Sequence, residues 1–311
     1  MILNTNIKFC KKKGCYSMKV GFIGLGIMGK PMCANLLKKG YDVVVNTLNV
    51  ETIKEMEALG AKGAATAKEV GEQVDVLITM VPNSPQVDEV LFGENGAAEG
   101  LKKGATVIDM SSINPVESQR FAKQLAEQGV EFMDAPVSGG EPGAIAGTIS
   151  VMVGGKQETF DKFYDLLKAM AGSVVRVGDV GAGNVTKLSN QIIVAVNIAA
   201  VSEAFVLAKN ANVDPALVFE AIKGGLAGSN VMNAKAPMML DRNFNPGFRI
   251  DLHIKDLQNA LDAAHSLHTA VPFCAQVMEM MQAVKNDGFG DRDHSKLLHY
   301  FEKMNNTTLD K

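Results

Sequence analysis

Met18-Lys19-Val20-Gly21-Phe22-Ile23-Gly24-Leu25-Gly26-Ile27-Met28-Gly29 is the stretch that decides the fold of this chain. Its first half is a short apolar strand and its second half a GxGxxG turn. Lys30 to Lys39 then reads as a helix, with Pro31 tolerated in the first turn. Strand, glycine turn and helix follow in the order a dinucleotide-binding unit requires. Gly24 permits the tight turn, Gly26 lets a pyrophosphate approach the backbone, and Gly29 lets the helix pack on the strand. The helix start offers free N–H groups and a positive dipole end to phosphates. With Leu25, Ile27 and Met28 between the glycines, Gly24 to Gly29 is the expected cofactor turn. A glycine-rich turn without a ligand has the same letters; the strand before it and the helix after it favour the ligand.

The next strand, Asp42 to Asn46, should end at the residue that reads the ribose. An acid there suits the 2′-hydroxyl of NAD and an arginine the 2′-phosphate of NADP. This chain has Asn46-Thr47-Leu48-Asn49. Thr47 and Asn49 can hydrogen-bond a ribose and Leu48 cannot pair with a phosphate, so NAD is expected rather than NADP. Further strands read at Val74 to Thr79, Thr106 to Asp109, Val130 to Asp134, Thr148 to Gly154 and Val174 to Val177. Helices read at Pro115 to Gln128 and Gln157 to Met170. Such alternation predicts an α/β fold with a parallel, doubly wound sheet of Rossmann type. Ligands of these sheets bind at the carboxyl ends of strands, where Val81, Pro82 and Ser112 fall. Asp134-Ala135-Pro136-Val137-Ser138-Gly139-Gly140 also follows a strand. The Ser138 hydroxyl and the bare backbone N–H groups of Gly139 and Gly140 make a nest for a small carboxylate. An ordinary turn fits the same letters.

Beyond Gly183 the pattern is helical only: Asn184 to Asn210, Asp214 to Lys223, Asn233 to Leu240, Leu252 to Leu267, Pro272 to Asp287 and His294 to Met304. In Gly181-Ala182-Gly183-Asn184-Val185-Thr186-Lys187-Leu188-Ser189-Asn190-Gln191, a loose glycine turn enters the longest of them. Lys187, Asn190 and Gln191 share one face of that helix. A lone ammonium among apolar residues is costly unless something uses or pairs it. The functional reading is a proton donor and acceptor whose amide neighbours orient a substrate; the bland one is a lysine snorkelling from a helix start. Lys255 stands beside Asp256. The expected architecture is a Rossmann-type doubly wound domain over residues 18–180. A long interdomain helix joins it to an all-α domain over 181–311. The glycine turn is the expected flexible point between them. Residues 1–17, which lack periodicity, are expected to be a disordered extension or a misassigned start.

The 311 residues are 47% hydrophobic with a net charge of −3, enough for a large core and without the basic face nucleic acid needs. Cys10, Cys15, Cys33 and Cys274 are irregularly spaced, as in reduced cytoplasmic proteins. No metal site is expected: Cys10 and Cys15 lack a second pair, and His265 and His268 lack a third ligand. The apolar run Ile192 to Leu207, broken by Asn197, Ser202 and Glu203, is too short to span a bilayer, so no membrane is expected. Lys11-Lys12-Lys13 precedes no apolar region and makes no convincing signal peptide.

From Met18 to about Met304 the chain resembles the β-hydroxyacid dehydrogenases. The matching pieces are VGFIGLGIMGKP (Val20 to Pro31), DAPVSGGEP (Asp134 to Pro142) and GAGNVTKLSNQ (Gly181 to Gln191). GGLAGS (Gly224 to Ser229), DRNFNPGFRIDLHIKDL (Asp241 to Leu257) and the DG-G-DHS pattern from Asp287 to Ser295 follow in order. The resemblance implies that Lys187 is the catalytic lysine, with Asn190 and Gln191 as the substrate-orienting amides. The second of these is asparagine in many members. It places Ser138, Gly139 and Gly140 on the carboxylate turn. Val81, Pro82, Ser112, Thr47 and Lys255 fall on cofactor positions with Phe248 close by, and Ser112 also borders the substrate. At the ribose the chain departs, with Thr47 and Leu48 where relatives carry an acid, or Asn followed by Arg. The implied activity is NAD(P)-dependent interconversion of a small semialdehyde and its hydroxyacid. GGLAGS and FRIDLHIKDL are most similar to members that reduce tartronate semialdehyde to D-glycerate. The hydroxyacids 3-hydroxyisobutyrate, 2-(hydroxymethyl)glutarate and 4-hydroxybutyrate are the alternatives. A catalytically silent dinucleotide-binding protein is the alternative of another class. The resemblance also implies a homodimer or homotetramer.

Overall fold

The computed structural model describes residues 18–310; the expectations for residues 1–17, Cys10 and Cys15 included, lie outside the described residues. Strand β1 (Lys19–Ile23) is apolar and buried on both faces, as a central strand of a parallel sheet must be. It feeds α1 (Gly29–Lys38), β2 (Asp42–Asn46), α2 (Val50–Ala58), a two-residue β3 (Lys62–Gly63), α3 (Ala67–Gly71), β4 (Val76–Thr79) and α4 (Ser84–Phe92). Then come β5 (Thr106–Asp109), α5 (Pro115–Ala126), β6 (Glu131–Asp134), β7 (Val137–Ser138), α6 (Gly140–Ala146), β8 (Ile149–Gly154), α7 (Gln157–Lys168) and β9 (Ala171–Gly178). The nine strands form one sheet in the order β3-β2-β1-β4-β5-β6-β8-β7, with β9 on the other side of β8.

One feature departs from an all-parallel sheet. β8 runs antiparallel to β6 and β7, while β9 is again parallel to β8. The chain returns from β7 through the short α6, and antiparallel neighbours need no long crossover. Helices pack on both faces of the sheet. One core holds Phe22, Met32, Leu36, Ile108 and Phe163; the opposite one holds Leu77, Leu91, Val107, Phe121 and Leu125. Helices α2, α3, α4 and α6 were not read from the sequence. All four are only five to nine residues long, so their apolar stripes are too short to stand out.

After β9 the chain is helical: α8 (Ala182–Asn210), α9 (Pro215–Ile222), α10 (Asn230–Leu240), α11 (Ile250–Ser266), α12 (Pro272–Val284), a 3-10 turn (His294–Leu297) and α13 (Leu298–Met304). A third core, with Leu188, Phe205, Met239, Leu257, Met281 and Leu298, lies wholly among these helices. α8 spans 29 residues and is long and apolar enough to cross a bilayer, unlike the shorter run read from the sequence. Half of its most apolar window is packed inside the fold, as in the core helix of a globular protein.

The entry into α8 is not loose. Gly181 adopts a φ of 96°, which favours glycine. At Gly183 a Cβ would overlap the Met152 carbonyl oxygen and lie 2.7 Å from that of Asp134. Here glycine serves close packing of the helix on the sheet, in place of the flexibility expected from the sequence. The Asp134 carboxylate, buried at the end of β6, accepts from the N–H groups of Gly181 and Asn184, each at 2.7 Å. It thereby satisfies donors that a helix start leaves open. The Asn184 side chain accepts from Ile113 N at 3.0 Å and donates to Ser118 Oγ at 3.1 Å. The first turn of α8 is thus fixed to the strand ends, one turn before Lys187.

Candidate active site

The carboxyl ends of β1, β4 and β5 lie side by side in register, Ile23 beside Thr79 and Thr79 beside Asp109. The glycine turn after β1 is shaped by its own packing at two positions. Gly24 has a φ of 97° and a Cβ there would overlap the Met80 carbonyl; at Gly29 it would overlap the carbonyl of Gly24. Gly26 is different: an added Cβ meets nothing within 4 Å. The protein itself does not demand glycine there, so the open backbone fits the approach of a pyrophosphate. Leu25 is buried, Met28 half-buried and Ile27 exposed at the tip.

Thr47 Oγ1 accepts from Leu25 N at 3.4 Å, which ties the end of β2 to this turn. Asn49, read from the sequence as a ribose partner, instead caps α2, its side chain accepting from Glu51 N and Thr52 N. Leu48 between them is wholly exposed. Val81 packs its side chain against Gly24 and donates its N–H to Ser111 Oγ at 3.0 Å; Pro82 is exposed beside it. Asp109, buried below, accepts from Thr79 Oγ1 at 2.8 Å and Ser111 N at 3.1 Å. Burial pushes its carboxyl up to about 6, and these hydrogen bonds and Lys255 pull the other way. It braces the turn that carries Ser112.

Helix α11 lies across these strand ends. Lys255 Nζ donates to the Ser112 carbonyl at 2.7 Å and Asn259 Nδ2 to Asn83 Oδ1 at 2.9 Å. Lys255 is therefore a bracket between the helices and the sheet. Its ammonium is also 2.7 Å from Asp256 Oδ1.

Lys187, Asn190 and Gln191 come together as their spacing on α8 requires. Lys187 is 6% exposed and Gln191 4%. Lys187 Nζ donates to Gln191 Oε1 at 3.0 Å, and Asn190 Nδ2 donates to the same oxygen at 2.9 Å. Gln191 Nε2 donates to Asp256 Oδ2 at 2.6 Å. Both ends of the Gln191 amide are thus engaged within the protein, while Asn190 keeps its amide oxygen for other use. Burial lowers the pKa of Lys187; the Asp256 carboxylate opposes this and the Lys255 ammonium adds to it. A lysine in this setting gives up its proton more readily than a solvated one, as an acid–base group must.

Ser138 is half-buried at the end of β7, Gly139 (φ 138°) leads into α6, and Gly140 (φ 64°) starts it. A Cβ on Gly140 would sit 4.0 Å from the Gly247 carbonyl, so this turn meets the segment before α11. Phe248 there stacks edge-on against His253 and His294, with centroids 5.6 and 5.5 Å away. Sequence reasoning gave no role to Asp109, Asp134, Asn184, His253, Asp256 or His294. Their signal was polarity inside apolar periodic stretches, which names a buried group but not its partner. Among the described residues no three His, Cys, Asp or Glu side chains gather as a metal site.

A glycine-turned Rossmann sheet facing a buried lysine defines a nicotinamide-dependent oxidoreductase. Residues 19–178 match the family described as the NAD binding domain of 6-phosphogluconate dehydrogenase. Residues 181–301 match that described as NAD-binding of NADP-dependent 3-hydroxyisobutyrate dehydrogenase. The chain is 46% identical over 292 residues to 2-hydroxy-3-oxopropionate reductase of Escherichia coli (strain K12), covering 94% of this chain and 100% of the relative. It is 35% identical over 294 residues to 2-(hydroxymethyl)glutarate dehydrogenase of Eubacterium barkeri, covering 94% and 98%. Mycobacterium tuberculosis 3-hydroxyisobutyrate dehydrogenase, solved with L-serine, superposes with a TM-score of 0.85 at 29% identity, covering 91% and 98%. The chain belongs to the β-hydroxyacid dehydrogenase family. It is an NAD(P)-dependent oxidoreductase acting on CH–OH groups of small hydroxyacids.

Proposed function

We propose that the chain reduces tartronate semialdehyde (2-hydroxy-3-oxopropanoate) to D-glycerate, with Lys187 as the general acid. The observation that carries the chemistry is the buried Lys187 ammonium, held on Gln191 at 3.0 Å beside the strand ends. The substrate is supported by the 46% identity to a 2-hydroxy-3-oxopropionate reductase over nearly the whole chain. The similarity to 2-(hydroxymethyl)glutarate dehydrogenase favours, as the second reading, another β-hydroxyacid. A catalytically silent dinucleotide binder has no use for a buried lysine with a tended proton.

When bound, the reduced nicotinamide supplies the hydride. As the aldehyde carbon is reduced, negative charge gathers on its oxygen, and Lys187 Nζ delivers a proton there. In the oxidative direction the neutral amine, whose share the lowered pKa increases, takes that proton back. Gln191, saturated within the protein, holds Lys187 in place; Asn190 orients the substrate, and Ser138, Gly139 and Gly140 take its carboxylate. Gly24, Leu25, Gly26, Ile27, Met28, Gly29, Thr47, Val81, Pro82, Ser112, Phe248 and Lys255 line the dinucleotide. NAD is the preferred form. No cation follows β2, Leu48 there is bare to solvent, and the nearby Lys30 is paired with Glu55. Exposed Ile193, Leu207, Leu217 and Phe273 on the helical half support a homodimer or homotetramer. The buried free thiols of Cys33 and Cys274 suit the cytoplasm.

Lys187→Ala tests the reading. Its rate of semialdehyde reduction should fall at least about a thousandfold, about 4 kcal/mol in the barrier. Its affinity for the dinucleotide, read by fluorescence, should change little. Near-normal turnover would remove Lys187 from the chemistry.

A further inference from the structure

Below the active site, His253 on α11 and His294 in the turn before α13 face each other inside the helical core, 0% and 4% exposed. Their Nδ1 atoms are 2.9 Å apart. Neither belongs to the chemistry described above. Their proton positions follow from what surrounds them. His253 Nε2 lies 3.1 Å from the main-chain oxygen of Gln191, which can only accept. His253 therefore carries its proton on Nε2 and presents a lone pair at Nδ1. His294 must then donate from Nδ1, which leaves a lone pair on its Nε2. That atom is buried and has no hydrogen-bond partner among the described residues. A proton placed there would have no acceptor, and one added to His253 would set two N–H groups against each other.

We propose that His253 and His294 form a proton-locked imidazole pair that positions Gln191, and through it Lys187, for proton transfer. The inference rests on Lys187 being the acid–base group. The geometry runs in one direction: His294 donates to His253, and His253 donates to the Gln191 carbonyl. The amide of that same residue takes Lys187 on its oxygen and gives its N–H to Asp256. Gln191 is held from three sides, so the lysine it carries has little freedom. The pair also backs Phe248, which stacks on both rings.

The charges around the pair keep it neutral. Asp293, next to His294, is engaged by the Lys235 ammonium at 3.0 Å and by the N–H groups of Gly247, Phe248 and Ser295. Lys187 lies on the other side, with Asp256 and Lys255 beyond it. Burial is the main cause that takes His253 down to about 4, and it takes His294 well below its usual value. The Lys187 and Lys235 ammonium groups add to both shifts; Asp256 and Asp293 oppose them. A pair that stays neutral throughout the working range holds Gln191 in one arrangement across it.

Long-range proton–nitrogen NMR on the intact protein labelled at its histidine nitrogens tests this directly. Between about pH 6 and about pH 9, His253 is expected as the Nε2–H tautomer and His294 as the Nδ1–H tautomer, neither titrating. The opposite tautomer at either ring, or an imidazolium in that range, overturns the proposal. The kinetic arm compares two variants. His294→Leu removes the donor and should lower kcat about tenfold or more, as when an outer partner of a functional group is lost. The pH limb assigned to Lys187 should be displaced. His294→Asn returns an N–H near the Nδ1 position and should restore most of the rate and the wild-type limb. A folded His294→Leu enzyme with unchanged kcat and pH profile contradicts the proposal. The NMR result stands even if a variant fails to fold. It is also separate from the Lys187→Ala result: lost turnover there with reversed tautomers condemns only the pair, and retained turnover with the expected tautomers condemns only the proton-transfer role.

Discussion

Asp256 shows how much a single carboxylate can decide. Its Oδ2 fixes the Gln191 amide at 2.6 Å, and its charge opposes the burial that drives the pKa of Lys187 down. Asp256→Asn keeps an oxygen that can accept from Gln191 but removes the charge. The sign follows. Without that anion the pKa of Lys187 falls further, so less of the lysine is protonated at a given pH. The alkaline limb of the reduction rate should move to lower pH, and oxidation should reach its plateau at lower pH. A pH series of kcat in both directions checks it; an unmoved limb would mean that Asp256 acts by geometry alone. Lys187, Asn190 and Gln191 were legible as a set because helix spacing alone brings them together. Asp256, sixty-five residues on from Gln191, was not, because no local rule connects α11 to α8.

Elements carry the same lesson in their glycines. The GxGxxG stretch was readable as a tight turn between a strand and a helix because the three are contiguous, and contiguous motifs leave their geometry in the letters. The second glycine stretch, entering α8, read as flexible when its real constraint is distant. The strand ends that crowd Gly183 come from β6 and β8. Two substitutions separate the roles. Gly183→Ala presses a methyl group into the carbonyls of Met152 and Asp134 and should cost about 1–3 kcal/mol. Gly26→Ala adds its methyl in open space and should leave stability within about 0.5 kcal/mol while weakening dinucleotide binding. Thermal melts with and without NADH measure both. Equal melts for Gly183→Ala and wild type would show that the helix entry yields after all.

Across the whole molecule, the sheet carries the glycine turn and the helices carry Lys187. α11 and the start of α8 join the two through Lys255, Asn259, Asn184 and Asp134. The α/β alternation and the change to helices after the sheet were plain in the periodicity. The antiparallel β8 was not, since strand direction depends on how the chain returns and not on residue type. Substrate choice belongs to this scale, because the proposed carboxylate turn, Lys187 and the proposed nicotinamide site come from different elements. The most direct measurement is kcat/KM for tartronate semialdehyde with NADH and with NADPH, beside methylmalonate and succinate semialdehydes. Tartronate semialdehyde is expected to lead by at least about a hundredfold, of the order a pocket gains from one group on the substrate, and NADH to outperform NADPH. No turnover of any of the three with either cofactor would contradict the account at its centre.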